Sequence, residues 1–278
     1  MDTNNLLNVP PTSTHTHTVV FLHGRGGSAK TLAQSLLYSR TRDGRTLYQA
    51  FPSFRWVFPE AKANPCAAFP GQSWQQWFDI WNVQNFSDRE EHQATGLRES
   101  VLFIRRVLAR EAAVLGGRYD RIILAGISQG AATSVHTLLN LGISPPTDGR
   151  AGRGLAAFLG FCSRMPFPGR TLADARKILN VENAPQDDVT IRHTPMLLEH
   201  SADDPLVLVS SGRALRDTLR GFGATVEWRE YPDGGHWFNS PAGISDVVEY
   251  LNKVLDVQSS PVKQHISTWG TSGDMELS

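Results

Sequence analysis

Six short apolar runs, separated by stripes of helical period, set the architecture open to this chain. Residues 18–22, 55–58, 121–125, 155–161 and 195–199 are rich in β-branched, aromatic and aliphatic side chains and end at turn or polar residues. Runs of four to seven such residues read as strands buried on both faces. Residues 226–231 alternate in polarity, which places a sixth strand nearer a sheet edge. Between them, apolar residues recur from Leu97 at Val101, Ile104, Leu108, Ala112 and Leu115, one face of a helix. Ser87 and Glu90, upstream, have the spacing of a capping box. A second stripe runs through Ile244, Val247, Val248, Leu251, Val254 and Leu255, and residues 129–141 and 210–219 complete the alternation. Strand and helix in turn predict an α/β fold, a mostly parallel central sheet with helices on both faces.

Two stretches break this rhythm. Residues 60–87 carry Pro65, Pro70, Gly71 and three tryptophans, and residues 165–194 are polar with three prolines. Long irregular segments in a compact domain are functional or disordered. The expected organisation is a flexible leader at 1–17, one domain at 18–256 and a disordered tail at 257–278.

Charge excludes some functions. Lys+Arg and Asp+Glu are both 27, so the net charge is zero and the basic footprint of a nucleic-acid binder is missing. No apolar run approaches the roughly 18–20 residues of a membrane span. The polar start, residues 1–10, lacks the features of a secretory signal. Two cysteines, Cys66 and Cys162, with no CxxC, give neither a disulfide framework nor a thiolate metal site. They read as separate thiols of a cytoplasmic protein, and no metal or organic cofactor is implied. His15 and His17 have metal-ligand spacing but no further ligands nearby in sequence.

Gly126-Ile127-Ser128-Gln129-Gly130 is a G-x-S-x-G between a predicted strand and a predicted helix. That context is the one a nucleophile elbow needs, because the turn is too sharp for side chains on either side of the serine. A serine hydroxyl needs an adjacent base. In this setting the chain order is serine, acid, histidine. His236, in a glycine-rich loop after the last strand, suits the base. Asp203 and Asp204, after the strand at 195–199, both suit the acid, and the residues alone leave the choice open. The second half of an oxyanion hole would come from the glycine loop His23-Gly24-Arg25-Gly26-Gly27, opposite the N–H of Gln129.

With these residues in view, the chain resembles the acyl-protein thioesterase / carboxylesterase–phospholipase family of α/β-hydrolases. The resemblance runs from about Val19 to Leu255. It rests on Val20-Phe21-Leu22-His23-Gly24, Gln76-Trp77-Phe78-Asp79-Ile80, the strand and elbow through Gly130, and the segments holding Asp204 and His236. In such proteins the acid precedes Pro-Leu-Val, which selects Asp204. The resemblance implies Ser128, Asp204 and His236 as catalytic residues, and the backbone N–H groups of Arg25 and Gln129 as oxyanion donors. Trp77 and Leu206 would line an acyl channel. The chain departs from the family at Arg25, at Ser201 and at residues 159–165, all near the expected acyl site. Arg25 and Arg164 would suit a polar or carboxylated substrate.

The expected activity is hydrolysis of carboxylic esters or thioesters through an acyl-enzyme. The substrate would be a small molecule or an acylated protein. The rivals are a hydrolase of a pathway metabolite such as a polyketide thioester, a lysophospholipase, and a catalytically inactive binding module on the same fold. Turnover of one metabolite with inertness to short esters marks the first, and lysolipid hydrolysis the second. Failure of a fluorophosphonate to label the protein marks the third.

Overall fold

The computed structural model describes residues 6–143 and 153–256. The chain opens with β1 (Leu7–Val9) and β2 (His17–Leu22), then α1 (Ala29–Ser35), α2 (Leu47–Ala50) and β3 (Phe54–Phe58). A small hairpin, β4 (Ala63–Pro65) with β5 (Ser73–Gln75), precedes the 23-residue α3 (His92–Val114). Next come β6 (Ile122–Ile127), α4 (Gln129–Leu139), β7 (Ala157–Phe161), α5 (Leu172–Leu179) and α6 (Val189–Arg192). The chain continues through β8 (Met196–Ser201), α7 (Val209–Gly221), β9 (Val226–Tyr231) and α8 (Ala242–Asp256).

Seven strands form one sheet in the order β1-β3-β2-β6-β7-β8-β9. Every pair in it is parallel except β1 with β3. Alternation along the strands sorts side chains to two cores. Val20, Leu22, Ile122 and Leu124 pack with α3, α4 and α7, whereas Val19, Phe21, Ile123 and Ala125 pack with α1, α2 and α8. Each fully buried aliphatic or aromatic side chain contributes about 1.5–3 kcal/mol. With both faces covered, β6 is buried at all six positions, and so reads as an unbroken apolar run.

Several sequence expectations are corrected. Residues 7–9, placed in the flexible leader, form β1, paired antiparallel with β3 from Leu7↔Phe58 to Val9↔Trp56. Three residues are too few to show a period. The helix after residue 87 has no capping box: Glu91 caps α3 without a side-chain bond. Glu90 instead accepts the Phe167 N–H at 2.8 Å. Capping boxes occur at α1, where Ser28 and Thr31 exchange bonds, and at α2, through Thr46 and Gln49. The segment 165–194 holds α5 and α6. The expected tail at 257–278 lies outside the described residues. No helix of the described residues is long and apolar enough to cross a membrane.

Candidate active site

In a parallel sheet the C-terminal strand ends share one edge, and ligand sites form there. The loops after β2, β6, β8 and β9 deliver His23 to Gly27, Ser128, Asp204 and His236 to that edge.

Ser128 sits between β6 and α4 with φ 55° and ψ −123°. A side chain at positive φ is strained, and the surroundings must hold it there. The Ser128 N–H donates to Phe161 O at 2.8 Å, and Ser128 O accepts from Ser163 Oγ at 3.0 Å, tying the turn to the end of β7. Both glycines are sterically required. A Cβ on Gly126 would lie 2.5 Å from Ala131 N, and one on Gly130 would lie 2.4 Å from the carbonyl oxygens of both Leu22 and His23. Contacts this close bring α4 hard against the end of β2.

The structure brings Ser128, His236 and Asp204 together. His236 Nε2 is 2.8 Å from Ser128 Oγ, and His236 Nδ1 is 2.7 Å from Asp204 Oδ2. A proton on Nδ1 leaves Nε2 free to accept the serine proton. Asp204 is buried and its charge is well met: Oδ1 accepts the N–H groups of Leu206 and Val207, both at 2.9 Å. His200 Nε2 approaches Asp204 Oδ2 at 3.2 Å and donates to Val207 O at 2.7 Å. Burial holds the His200 pKa below its ordinary value, which favours this neutral donor. Asp203 turns away and accepts the Gly235 N–H at 2.8 Å. The two aspartates thus divide the work, one meeting the imidazole and its neighbour fixing the loop that carries it.

Arg25 and Gln129 both line the cleft, and neither backbone N–H has an acceptor among the described residues. The Gln129 N–H also sits at the N-terminus of α4, where helix N–H groups lack intrahelical partners and favour negative charge. His23 shapes the facing loop. Its Nδ1 donates to Gly24 O at 2.7 Å, and its Nε2 accepts the Ala61 N–H at 3.1 Å. Burial lowers the His23 pKa, in keeping with that neutral tautomer.

Trp77 does not line the cleft. It is 0% exposed, and its Nε1 donates to His23 O at 2.7 Å. Gln129 binds the same segment: its Oε1 accepts the Trp77 N–H at 2.9 Å, and its Nε2 donates to Phe78 O at 2.7 Å. Trp77 is therefore a buttress that locks residues 76–80 to the elbow and the glycine loop. Trp74 takes the lining place assigned to it, together with Phe69, Phe78 and Ile80. Leu206 is 63% exposed and sits on the rim. The support roles of His23, His200 and the Gln129 side chain escaped the sequence reading. The one signal available was their place beside motif residues.

The cleft has a volume of about 440 Å³ and a largely apolar wall. Two arginines reach it. Arg25 donates from Nε to Gln76 Oε1 at 2.9 Å and from Nη2 to Cys66 Sγ at 2.7 Å, with its guanidinium 4.7 Å from the Trp74 ring centroid. Arg164 is 8% exposed and donates from Nη2 to Gln93 Oε1 at 2.9 Å. Burial lowers the Arg164 pKa to about 10, which leaves it a cation at neutral pH. Cys66 and Cys162 are free and buried. Burial pushes the Cys162 thiol up to about 12, and its Sγ donates to Trp237 O at 3.3 Å.

The sequence pattern of the phospholipase/carboxylesterase family matches residues 4–255. Acyl-protein thioesterase 1 of Gibberella zeae is 28% identical over 248 residues, covering 88% of this chain and 94% of that protein. Acyl-protein thioesterase 1 of Cryptococcus neoformans is 26% identical over 262 residues, covering 90% and 97%. The crystal structure of Zea mays acyl-protein thioesterase 2 has the same fold, with a TM-score of 0.68 and 24% identity over 90% of this chain and 99% of its own. The chain belongs to the phospholipase/carboxylesterase family and is a hydrolase of the α/β-hydrolase class.

Proposed function

We propose that this chain cleaves carboxylic esters or thioesters through an acyl-enzyme on Ser128. The observation that carries the reading is the unbroken relay from Ser128 Oγ through His236 to Asp204, with heavy-atom separations of 2.8 and 2.7 Å. His236 Nε2 takes the serine proton as Oγ bonds to the substrate carbonyl carbon. The carbonyl oxygen becomes an oxyanion held by the N–H groups of Arg25 and Gln129. Asp204 keeps the imidazole in the accepting tautomer and stabilises the imidazolium. His236 then gives its proton to the departing alcohol or thiol, and the acyl group stays on Ser128. Water, deprotonated by His236, attacks the acyl carbon and releases the acid with Ser128 restored.

The apolar wall of the cleft suits an acyl chain, on a small molecule or on an acylated protein, as the names of the two fungal relatives imply for those proteins. Two buried free thiols suit a reducing compartment, the cytoplasm. The test is labelling with a fluorophosphonate and the release of 4-nitrophenol from a short 4-nitrophenyl ester. Both should occur in the wild type and be lost in Ser128→Ala. Full activity in that variant would sink the mechanism.

A further inference from the structure

The catalytic cleft holds a buried cation that no carboxylate among the described residues neutralises at contact. Arg164 carries five N–H donors. Among the described residues its side-chain partners are Gln93 Oε1 and the face of Phe86, whose ring centroid is 4.0 Å from the guanidinium carbon. Nε and Nη1 have no acceptor among the described residues, and no carboxylate there lies within 4.0 Å. Glu90, the acidic group whose field reaches Arg164, has its Oε1 engaged by the Phe167 N–H. A charge buried this way is costly unless something pairs with it. Arg25 differs, because Gln76, Cys66 and the Trp74 ring hold it and it is less deeply buried.

Position says which part of a substrate would meet Arg164. A second cavity of about 500 Å³ shares Val83, Phe86, Arg164 and Leu206 with the catalytic cleft. That second cavity is an open groove along exposed Leu206 and Leu208, whereas the buried wall of the catalytic cleft includes Phe78, Ile80, Ala132 and Arg164, so an acyl chain on Ser128 that follows the buried wall meets the guanidinium. The acyl group stays covalently bound through half of the cycle and needs an enclosed site. The leaving group needs a way out to solvent, which the exposed rim at Leu206 and Trp237 offers.

We infer that Arg164 is a specificity-determining residue that binds a carboxylate at the far end of the acyl chain, so that the favoured substrate is a half-ester or half-thioester of a dicarboxylic acid. This rests on the acyl-enzyme reading of Ser128. With one Nη2–H given to Gln93, the second Nη2–H together with either Nε–H or Nη1–H leaves one edge of the planar guanidinium to meet a carboxylate through parallel hydrogen bonds, best away from water.

The test compares kcat/KM for mono-(4-nitrophenyl) adipate and 4-nitrophenyl hexanoate, which share chain length and leaving group. The wild type should favour the adipate at least tenfold. Arg164→Gln, which keeps an amide to face Gln93, should lower the adipate-to-hexanoate ratio at least tenfold, and Arg164→Lys should restore part of it. A purely structural role would lower both substrates by a common factor and leave the ratio alone. That result, or a wild-type preference for hexanoate, overturns the inference, and the wild-type ratio decides even if a variant fails to fold. Dependence on Arg164 that instead follows a carboxylate on the phenol overturns the acyl-side assignment. Failure of Ser128 to label with fluorophosphonate overturns the hydrolase reading itself. Labelling without an adipate preference overturns the carboxylate alone.

Discussion

Gly130→Ala is a change of one methyl group that should disable the site without touching a functional side chain. On helix propensity alone the substitution favours α4 by about 1 kcal/mol. The contacts oppose it. The new Cβ would stand 2.4 Å from Leu22 O and His23 O, well inside the 3.0 Å below which Cβ contacts essentially never occur. Relief needs a separation of roughly 0.6 Å or more between the start of α4 and the end of β2, since both opposing atoms are backbone. Overpacking of this kind costs about 1–3 kcal/mol, so the net loss of stability should be about 0–2 kcal/mol. The larger effect falls on chemistry. The two oxyanion donors lie on opposite sides of this contact, Gln129 at the head of α4 and Arg25 just beyond β2. Misplacement of catalytic groups by about 1 Å costs on the order of a hundredfold in rate. The expected outcome is a folded protein with kcat/KM for a short 4-nitrophenyl ester down by about 30–100-fold. Thermal melting and steady-state kinetics on the same preparation check it. A variant within twofold of wild type in kcat/KM would refute the claim that this contact sets the oxyanion hole.

Three further outcomes follow from single contacts. Asp204→Asn should lower kcat by about 10⁴-fold because its amide favours the wrong imidazole tautomer, whereas Asp203→Ala, which frees only the Gly235 N–H, should cost far less; the two are compared by ester kinetics. Trp77→Phe strips His23 O of its 2.7 Å bond and leaves part of the buried indole's space unfilled, and urea unfolding should show a loss of at least about 1–3 kcal/mol. Glu199 is buried beside the Tyr231 hydroxyl, and burial raises its pKa well above the ordinary value. The folded state then holds this proton after the unfolded chain has lost it, so its stability is full below about pH 4.3 and falls as pH rises toward the raised value. Glu199→Gln, neutral throughout, should gain on the wild type between pH 4 and pH 8 in urea midpoint; a constant difference would refute the assignment.

The relay residues were legible because each follows a strand that the apolar runs mark, and because a parallel sheet puts those ends on one edge. Asp203 and Asp204 were not separable from their residue types. The choice is made by side-chain direction in a turn, where Asp204 points to the imidazole and its neighbour to Gly235. The strand β1 was hidden for another reason: its edge position leaves Leu7 and Asn8 exposed, so no buried alternation marks it. The helices α1 and α2 did leave signals, Ser28 with Thr31 and Thr46 with Gln49, but both elements are too short for an apolar stripe.

The segment 60–87 shows where pattern reading stops and geometry begins. Its three tryptophans look alike in sequence and do three jobs. Trp74 lines the cleft beneath Arg25, Trp77 is buried as a hydrogen-bonded strut, and Trp81 stacks on His92 and takes the Arg89 guanidinium on its ring. An irregular segment has no period from which to infer a facing direction. What fixes each ring is a partner from elsewhere in the chain: His23 O for Trp77, and Gln129 through the backbone beside it. The same bonds run the other way. Residues 76–80 hold the glycine loop and the head of α4, the two bodies that carry the oxyanion donors, in one buried network. The sheet therefore sets which residues meet at the cleft, and the irregular segment sets how closely. A loosening there should reach the chemistry through the separation of Arg25 and Gln129, with the serine–histidine contact left in place.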